Sequence, residues 1–453
     1  MANQVSIPLY EELVGSFEEV LATAEQSTAV QQARRQGIEN FKKMGFPSRR
    51  NEEWKYTNLL PFLQEGYSTD GRTSVAADAE LIAEAQVPHL DSYQLVFVNG
   101  ELQPATEAVP AFIRVMPFED ALTDEQFAAH FSKNTDIDQF PMAALNTALF
   151  SHGLFIEISP NAVLDKPLHI VHTYTATANL FVQPRLLVVA RRGANLSIIE
   201  TIVSKSTDNK LFINSLTEVF VEENAICDHY VLQTAKAGTR LVTNTEVSQL
   251  RDSVYSNYTF SLPGAELIRN NLHLSLDESN TESHLYGLYL GADNQLIDNH
   301  SLVNHRMPHC QSNEIYKGVL LDNATGVFNG KIFVQEDAQK TNAFQQNNNL
   351  LLSDKATINS KPQLEIFADD VKCSHGSTVG QLSKEAMFYL QSRGIGEQKA
   401  RALLVNAFAF DVTEKIKLEE LEDHINHLIQ SHIPLSESVI DETVIDETVI
   451  DAE

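Results

Sequence analysis

Basic residues are scarce in this sequence. It has 33 Lys and Arg against 61 Asp and Glu, which gives a formal net charge of −28 at pH 7. A chain with this charge repels nucleic acid and anionic lipid, because both are negatively charged, and it favours basic partners. We therefore expect neither a nucleic-acid partner nor a membrane partner.

Cysteines and long apolar runs are also few. The three cysteines, Cys227, Cys310 and Cys373, are widely spaced, which argues against a disulfide framework. No stretch approaches the ~20 apolar residues that a transmembrane helix needs. The first residues show no basic segment followed by an apolar run, as a secretory signal would. These absences predict a cytoplasmic protein.

Several catalytic and nucleotide-binding motifs are absent. The stretch GVFNGKIF around Lys331 lacks the spacing of a Walker A loop and its Ser or Thr after the lysine, so we expect no ATP site on this chain. The sequence contains no Gly-x-Ser-x-Gly and no His-Glu-x-x-His motif, which argues against the corresponding hydrolases. It also contains no Cys-x-x-Cys pair, which argues against a self-contained zinc or iron–sulfur site.

Residues 1–150 are predicted to form a helical domain that contains one hairpin. Leu9 and Leu13 begin an apolar stripe at three- and four-residue spacing, which is typical of an amphipathic helix. Farther on, strand-like alternation flanks the pair Asn99 and Gly100. An Asn-Gly pair between alternating apolar residues predicts a β-hairpin.

Residues 151–382 are predicted to form a parallel β-helix. Short β-rich runs are separated by Gly, Asn, Asp and Pro, and no helical pattern interrupts them. Similar segments begin at Gly287, Gly318 and Asn349, 31 residues apart (318 − 287 and 349 − 318). This repeat indicates stacked coils that bury their apolar faces against each other, with a β-sandwich as the alternative. In this frame one column contains Leu288, Val319 and Leu350.

The end of the chain is predicted to be helical and then disordered. Residues 383–435 contain three segments with helical patterns, and the first of them has an N-cap at Ser383 and a stop at Gly394. Residues 436–453 end in VIDETVIDETVIDAE, an acidic repeat. Its composition predicts a disordered tail.

The stretch DDVKCSHGSTVG contains a distinctive pair of candidate ligands, Cys373 and His375. In an extended strand, residues two apart face the same side, with Cβ atoms about 6–7 Å apart. This separation is wide for one ion, but it suits a cluster or a site shared between two chains. The alternative is a buried cysteine beside a hydrogen-bonded histidine, and it applies more strongly to Cys227 and Cys310.

A β-helix also permits a second function, that of a stand-alone carbohydrate-active enzyme. Paired acids such as Asp369 and Asp370 occur on late coils. Adjacent strand residues face opposite sides, however, so this pair cannot straddle one glycosidic bond. An aromatic fraction of 8% with a single Trp offers little surface for stacking sugars. We keep this enzyme as the alternative function.

Two stretches resemble the signatures of a known family. FPSRRNEEWKYTNL (46–59) and CSHGSTVGQLSKEAMFYLQSRGIGEQKARALLVNAFAFDV (373–412) are similar to the N-terminal and C-terminal signatures of the SufB/SufD iron–sulfur cluster assembly proteins, and are closer to SufD. The resemblance extends over residues 5–432. It implies a mainly β fold, with a right-handed parallel β-helix core between N-terminal and C-terminal α-helical domains.

The resemblance also implies a complex. SufD-like chains pair with a SufB-like paralogue through their β-helices, and each chain binds a SufC-like ATPase through its C-terminal helical domain. The expected function is that of a non-catalytic scaffold subunit in a SufBCD-type iron–sulfur cluster assembly complex, with ATP hydrolysis in the partner. A homodimer is an alternative state of the isolated chain.

Carried over residue by residue, His375 and Cys373 match a histidine and a cysteine at the SufB–SufD interface. They are expected to ligate a transient iron–sulfur cluster shared with the partner chain, which would add a cysteine and a carboxylate. Reduced flavin is linked with the family's complex, although no flavin motif is readable here. Neither Cys227 nor Cys310 matches the cysteine that receives sulfur in SufB-like chains. Five residues are expected to contact the ATPase subunit: Arg393, Gly394, Gly396, Ala402 and Phe408.

Overall fold

The computed structural model describes residues 7–23, 25–69, 77–104, 107–150, 152–205 and 208–433. Parallel strands wind into a solenoid of about eight coils, with helices before and after it. The parallel β-helix predicted from the repeat is confirmed, and the β-sandwich alternative is wrong. The predicted acidic tail, residues 436–453, lies outside the described residues.

Most helices lie at the start and at the end of the chain, and the strands of the solenoid lie between them. The strands of the described residues are β1 Tyr93–Val98, β2 Glu101–Leu102, β3 Ile113–Pro117, β4 His152–Ile158, β5 Leu168–Tyr174, β6 Leu180–Val182, β7 Pro184–Ala190, β8 Asn195–Ser204, β9 Leu211–Val221, β10 Ile226–Gln233, β11 Thr239–Gln249, β12 Val254–Ser261, β13 Leu267–Leu276, β14 Glu282–Gly291, β15 Leu296–His305, β16 Gln311–Leu320, β17 Thr325–Val334, β18 Asn342–Leu351, β19 Thr357–Ser360, β20 Gln363–Ile366 and β21 Lys372–Gly380. The α-helices are α1 Pro8–Gly15, α2 Phe17–Ala22, α3 Thr28–Met44, α4 Leu60–Leu63, α5 Ala79–Glu84, α6 Phe118–Ala121, α7 Glu125–His130, α8 Pro141–Leu149, α9 Lys384–Ser392, α10 Glu397–Thr413 and α11 Glu419–His432.

The solenoid is built from two sheets that enclose one apolar core. The 10-stranded sheet has the order β2-β1-β5-β8-β10-β12-β14-β16-β18-β21. The 11-stranded sheet has the order β19-β17-β15-β13-β11-β9-β7-β4-β3, with β20 beside β17 and β6 beside β9. Alternate residues of each strand face inward, so Leu196 and Ile198 of β8 join Tyr255 of β12 and Leu285 of β14 in the core.

The register between coils corrects the predicted 31-residue frame. Val319 lies opposite Leu350, as predicted, but it lies opposite Leu290 of the preceding coil and not opposite Leu288. The cause is turn length, because the turn from β17 to β18 spans 335–341 and the turn from β15 to β16 only 306–310. A slip of two residues leaves each side chain on the same face, so the predicted inward and outward sets are unaffected.

One corner of the solenoid is held by residues with positive φ. At each of these turns the backbone N–H donates to a carbonyl oxygen of the next coil, for example from Asn161 to Arg192 at 2.9 Å and from Lys340 to Asp370 at 2.7 Å. Asn and Asp tolerate this left-handed conformation better than most residues. The turn residues with positive φ that donate in this way are Asn161, Asn224, Asp252, Asn280, His309 and Lys340.

The start of the solenoid contains antiparallel strands. Asn99 and Gly100 both have positive φ and join β1 to β2, so the predicted hairpin is confirmed. β1 then pairs in parallel with β5, and β3 pairs antiparallel with β4. The hairpin is therefore the first strand pair of the 10-stranded sheet.

The N-terminal helices cover the outer face of the 11-stranded sheet. Phe41 and Leu145 of α3 and α8 contact outward apolar residues of that sheet, such as Phe212. Trp54, in the short 3₁₀ helix Glu52–Trp54, lies under the guanidinium of Arg269, whose Cζ is 4.3 Å from the ring centroid. These contacts bury both an apolar face and a charged side chain of the sheet.

The C-terminal helices cover the outer face of the 10-stranded sheet. Val405 and Val412 of α10 and Ile425 of α11 share a buried cluster with Tyr258 and Leu288 of the sheet. None of the helices in the described part of the chain combines the length and the apolar character that a transmembrane helix needs.

Inside the solenoid, Gly287 leaves room for an aromatic ring of the next coil. It lies opposite Tyr316, and a Cβ at Gly287 would be 2.2 Å from Tyr316 Cδ1. We expect Gly287→Ala to lower the free energy of unfolding by about 1–3 kcal/mol, because the buried ring must move. Gly376→Ala is the control, since a Cβ there meets no atom within 4 Å. Equal denaturant midpoints for the two variants would contradict this role of Gly287 in packing.

Candidate metal centre at the open end of the solenoid

The solenoid ends in an uncovered strand. β21 is the last strand of the 10-stranded sheet and pairs with β18 along one edge. No strand of the described residues pairs with its other edge, and most of its residues are exposed. An exposed edge strand presents unpaired N–H and C=O groups to which a strand of another chain can bind.

Cys373 and His375 lie on the same, inward-facing side of this strand. Cys373 is opposite Ala343 and half-buried, in contact with a small apolar cluster that includes Ile332. Burial raises the pKa of the Cys373 thiol, so the free thiol is protonated at neutral pH. His375 is opposite Gln345 and exposed, because no coil covers it.

These two side chains do not complete a metal site within the chain. Among the described residues, no three or more His, Cys, Asp and Glu side chains are grouped so that they could hold a metal ion. A thiolate and an imidazole suit iron–sulfur chemistry. The described part of the chain supplies no complete set of ligands for such a centre.

A buried polar column continues the inward register of His375 into the solenoid. Glu314 of β16 is opposite Gln345 of β18, which is opposite His375 of β21. Gln345 Nε2 donates to Glu314 Oε2 at 2.7 Å, and Ser301 Oγ donates to the other oxygen of Glu314. Burial raises the pKa of Glu314 to about 7, although both hydrogen bonds oppose the shift. The members of this column lie on different coils and form no motif, so the sequence alone does not predict it.

The other two cysteines are buried inside the solenoid. Burial raises the pKa of Cys227 well above its usual range, and Cys310 Sγ donates to a backbone carbonyl oxygen at 3.3 Å. His229, two residues after Cys227, is buried and bonds through Nε2 to Glu200 at 2.7 Å and through Nδ1 to Tyr255 at 3.0 Å. The interpretation of Cys227 as a buried cysteine beside a hydrogen-bonded histidine is confirmed.

Three of the residues expected to contact an ATPase subunit form an exposed turn between α9 and α10. Arg393 follows the last residue of α9, and its guanidinium lies over the Tyr389 ring at 5.3 Å. Gly394 has φ +83°, a conformation that favours glycine, and Gly396 is the N-cap of α10. All three turn residues are accessible to another molecule.

The other two expected contact residues face their own solenoid. Ala402 is buried, and the Phe408 carbonyl oxygen accepts a hydrogen bond from Lys317 Nζ at 2.7 Å while the Phe408 ring lies 4.5 Å from the same atom. α10 carries apolar residues on all its faces, so its sequence does not reveal which face is outward. The large apolar side chains exposed on α9 and α10 are Phe388, Tyr389, Leu403 and Phe410.

The buried carboxyl of Glu314 should make stability depend on pH. Its pKa is higher in the folded chain, about 7, than the 4.5 of an ordinary glutamate, so the folded state binds the additional proton. Stability should therefore fall as pH rises from 5 to 8, by about 3 kcal/mol from this group. Urea unfolding across that range should show a much weaker fall for Glu314→Gln. The exposed Glu336→Gln variant is the control, and a fall in Glu314→Gln as steep as in that control would contradict the assignment.

Comparison with known proteins assigns the chain to one family. The family model "SUF system FeS cluster assembly, SufBD core domain" matches residues 172–408, and the model "SufBD protein N-terminal region" matches residues 6–170. An iron–sulfur cluster assembly SufBD family protein of Synechocystis is 32% identical over 92% of this chain and 94% of its own length. The iron–sulfur cluster assembly protein SufD of Escherichia coli is 30% identical over 88% of this chain and 92% of its own length. The chloroplastic protein ABCI7 of Arabidopsis thaliana is 28% identical over 93% of this chain and 90% of its own length.

These matches agree with the resemblance seen in the sequence. They support a role in iron–sulfur cluster assembly. The chain belongs to the SufBD family of iron–sulfur cluster assembly proteins.

Proposed function

We propose that this chain is the SufD-like scaffold subunit of a SufBCD-type complex and that it pairs with a SufB-like chain through β21. The observation that carries the proposal is the position of Cys373 and His375 on one face of an unpaired edge strand. An edge strand of this length invites strand pairing by another chain. The E. coli relative is named SufD, which favours this role over that of the SufB-like subunit.

The cargo of the pair would be a nascent iron–sulfur cluster. Cys373 would bind iron as a thiolate and release its proton on binding, since its pKa is raised in the free chain. His375 would supply a neutral imidazole nitrogen. Because the described residues give no group of three or more possible metal ligands, the partner chain would complete the site. Partial ligation by each chain would also allow the cluster to leave when the chains separate.

The C-terminal helices would bind a SufC-like ATPase subunit. Their outer surface combines the exposed turn at Arg393 with large apolar side chains that nothing in the described chain covers, and Phe388 is 73% exposed. Exposed apolar groups of this size, close to charged ones, mark protein–protein contacts. ATP hydrolysis would take place in the partner, so this subunit would be non-catalytic.

The assignment of His375 can be tested by anaerobic co-purification with SufB-like and SufC-like subunits from the same source. We expect His375→Ala to assemble normally but to lose bound iron and acid-labile sulfide by about ten-fold or more, because one ligand is missing. His427→Ala is the matched control, since His427 is exposed on α11, away from the edge strand. Iron, sulfide and visible absorption would be measured on each complex. Equal cluster content in the two variants would contradict the proposed role of His375 as a ligand.

The docking surface can be tested with a charged substitution at its most exposed ring. Phe388→Asp should weaken binding of the ATPase subunit by about 2 kcal/mol or more, roughly 30-fold, because it removes an apolar contact and buries a charge. Val163→Asp is the control, since Val163 is also an exposed apolar residue but lies on an early coil. Calorimetric titration of each variant with the ATPase subunit gives the two affinities. Indistinguishable affinities would mean that the ATPase binds elsewhere.

A further inference from the structure

β18, the strand next to the open edge, carries three amide side chains on its inward face. Gln345 lies opposite His375, and Asn347 and Asn349 follow it along the strand. Asn347 Nδ2 donates to Tyr289 Oη at 3.2 Å, Tyr289 Oη donates to Asn349 Oδ1 at 2.5 Å, and Asn349 Nδ2 donates to Asn347 Oδ1 at 2.7 Å. The oxygen and the nitrogen of both asparagine amides therefore have partners.

Gln345 differs from both asparagines, because one of its polar atoms is buried without a partner. Its Nε2 donates to Glu314 Oε2 at 2.7 Å, whereas its Oε1 has no hydrogen-bond partner within the described part of the chain. The residue is 0% exposed. Buried carbonyl oxygens are nearly always hydrogen-bonded in native proteins, so this atom indicates a donor that approaches it in the working state.

The orientation of the Gln345 amide is set by its neighbours. The two oxygens of Glu314 accept hydrogen bonds from Ser301 Oγ and from Gln345 Nε2. When Glu314 is ionised, its carboxylate only accepts hydrogen bonds, so the amide nitrogen then has to face it and Oε1 has to face away. Gly330 provides the space for this arrangement, because a Cβ there would be 2.3 Å from Gln345 Nε2.

His375 is the next position of the same column. Paired residues on neighbouring parallel strands are about 4.8 Å apart, and the contact between Glu314 and Gln345 shows that side chains of this column span that distance. Gln345 and His375 are paired in the same way one coil later. The His375 ring is exposed and can turn toward Oε1.

We propose that Gln345 is the positioning residue of His375: its Oε1 accepts a hydrogen bond from one imidazole nitrogen and leaves the lone pair of the other nitrogen for iron. This inference rests on the proposed function, in which His375 is a cluster ligand. A neutral imidazole has one N–H and one lone-pair nitrogen, so an acceptor on one side selects the tautomer. In metal-binding histidines, the N–H of the ring nitrogen that does not bind the metal commonly donates a hydrogen bond to such an acceptor.

The first test uses the full-length chain without iron at pH 8, where Glu314 is ionised. Nitrogen chemical shifts of isotope-labelled histidines report each tautomer, and His375→Ala assigns the His375 signal. We expect the ratio of the two His375 tautomers to exceed that of the exposed His427 by roughly five- to ten-fold, which is the effect of one neutral hydrogen bond. A His375 ratio equal to that of His427 overturns the proposal.

Variants separate this role from a general effect on folding. Gln345→Met keeps the side-chain length without an acceptor, so the tautomer preference of His375 should disappear. Gln345→Glu keeps an acceptor, since the new carboxyl and Glu314 can share one proton, so the preference should persist. Gln346→Met is the matched control, because Gln346 lies on the outward face of β18. A preference that survives Gln345→Met overturns the proposal.

A second test uses the complex with the partner subunits. Gln345→Met should lower bound iron by about ten-fold, and Gln346→Met should not. If His375→Ala leaves the iron content unchanged, His375 is not a ligand and this part of the proposed function is wrong. The tautomer measurement then decides by itself whether Gln345 orients the His375 ring. If His375→Ala removes iron but Gln345→Met does not, the positioning role is overturned and the ligand role of His375 stands.

Discussion

Parallel pairing of each coil with the next is the constraint on which this structure depends. An inward side chain is buried only when a following coil covers it, and the edge of a strand is satisfied only when another strand lies beside it. Both conditions hold on the middle coils, for example at β10 and β15, and fail at β21. The exposure of His375 and the half-burial of Cys373 therefore result from the point at which the winding stops. The residues beneath them, Glu314 and Gln345, are polar although they are buried, as are Glu200 and His229 on earlier coils.

The same winding connects the two surfaces that we assign to partners. The ammonium of Lys317, on the outward face of β16, holds α10 through the Phe408 carbonyl oxygen and the Asp411 carboxylate. β16 pairs with β18, and β18 pairs with β21. Two hydrogen-bonded ladders therefore connect the strand that holds α10 with the last strand of the solenoid.

Local signals in the sequence predicted more of this structure than long-range ones. Asn99 and Gly100 specify their turn through their own backbone preferences, so the hairpin could be read directly. The solenoid could be read from repetition, but the register of Val319 could not, because two additional residues in one turn shift the frame without changing the pattern. The sequence could not predict the outward face of α10, because this helix has apolar residues on all sides. The structure shows that Phe408 faces the solenoid and that Phe410 is exposed. The partnership of Gln345 with Glu314 depends on contacts between coils, which no local pattern contains.

The two ends of the solenoid differ, and this difference limits how such chains can associate. At its beginning, the terminal strands β2 and β3 are two and five residues long and run antiparallel to their neighbours, whereas β21 at the other end is nine residues long and runs parallel to β18. A head-to-tail contact needs two complementary ends, and its repetition would produce an open fibre. The two ends therefore present edges of different length and strand direction, which match each other poorly for a head-to-tail contact. If two solenoids met through their β21 strands, each would use its longest terminal strand, and the contact would give a closed pair and not a fibre.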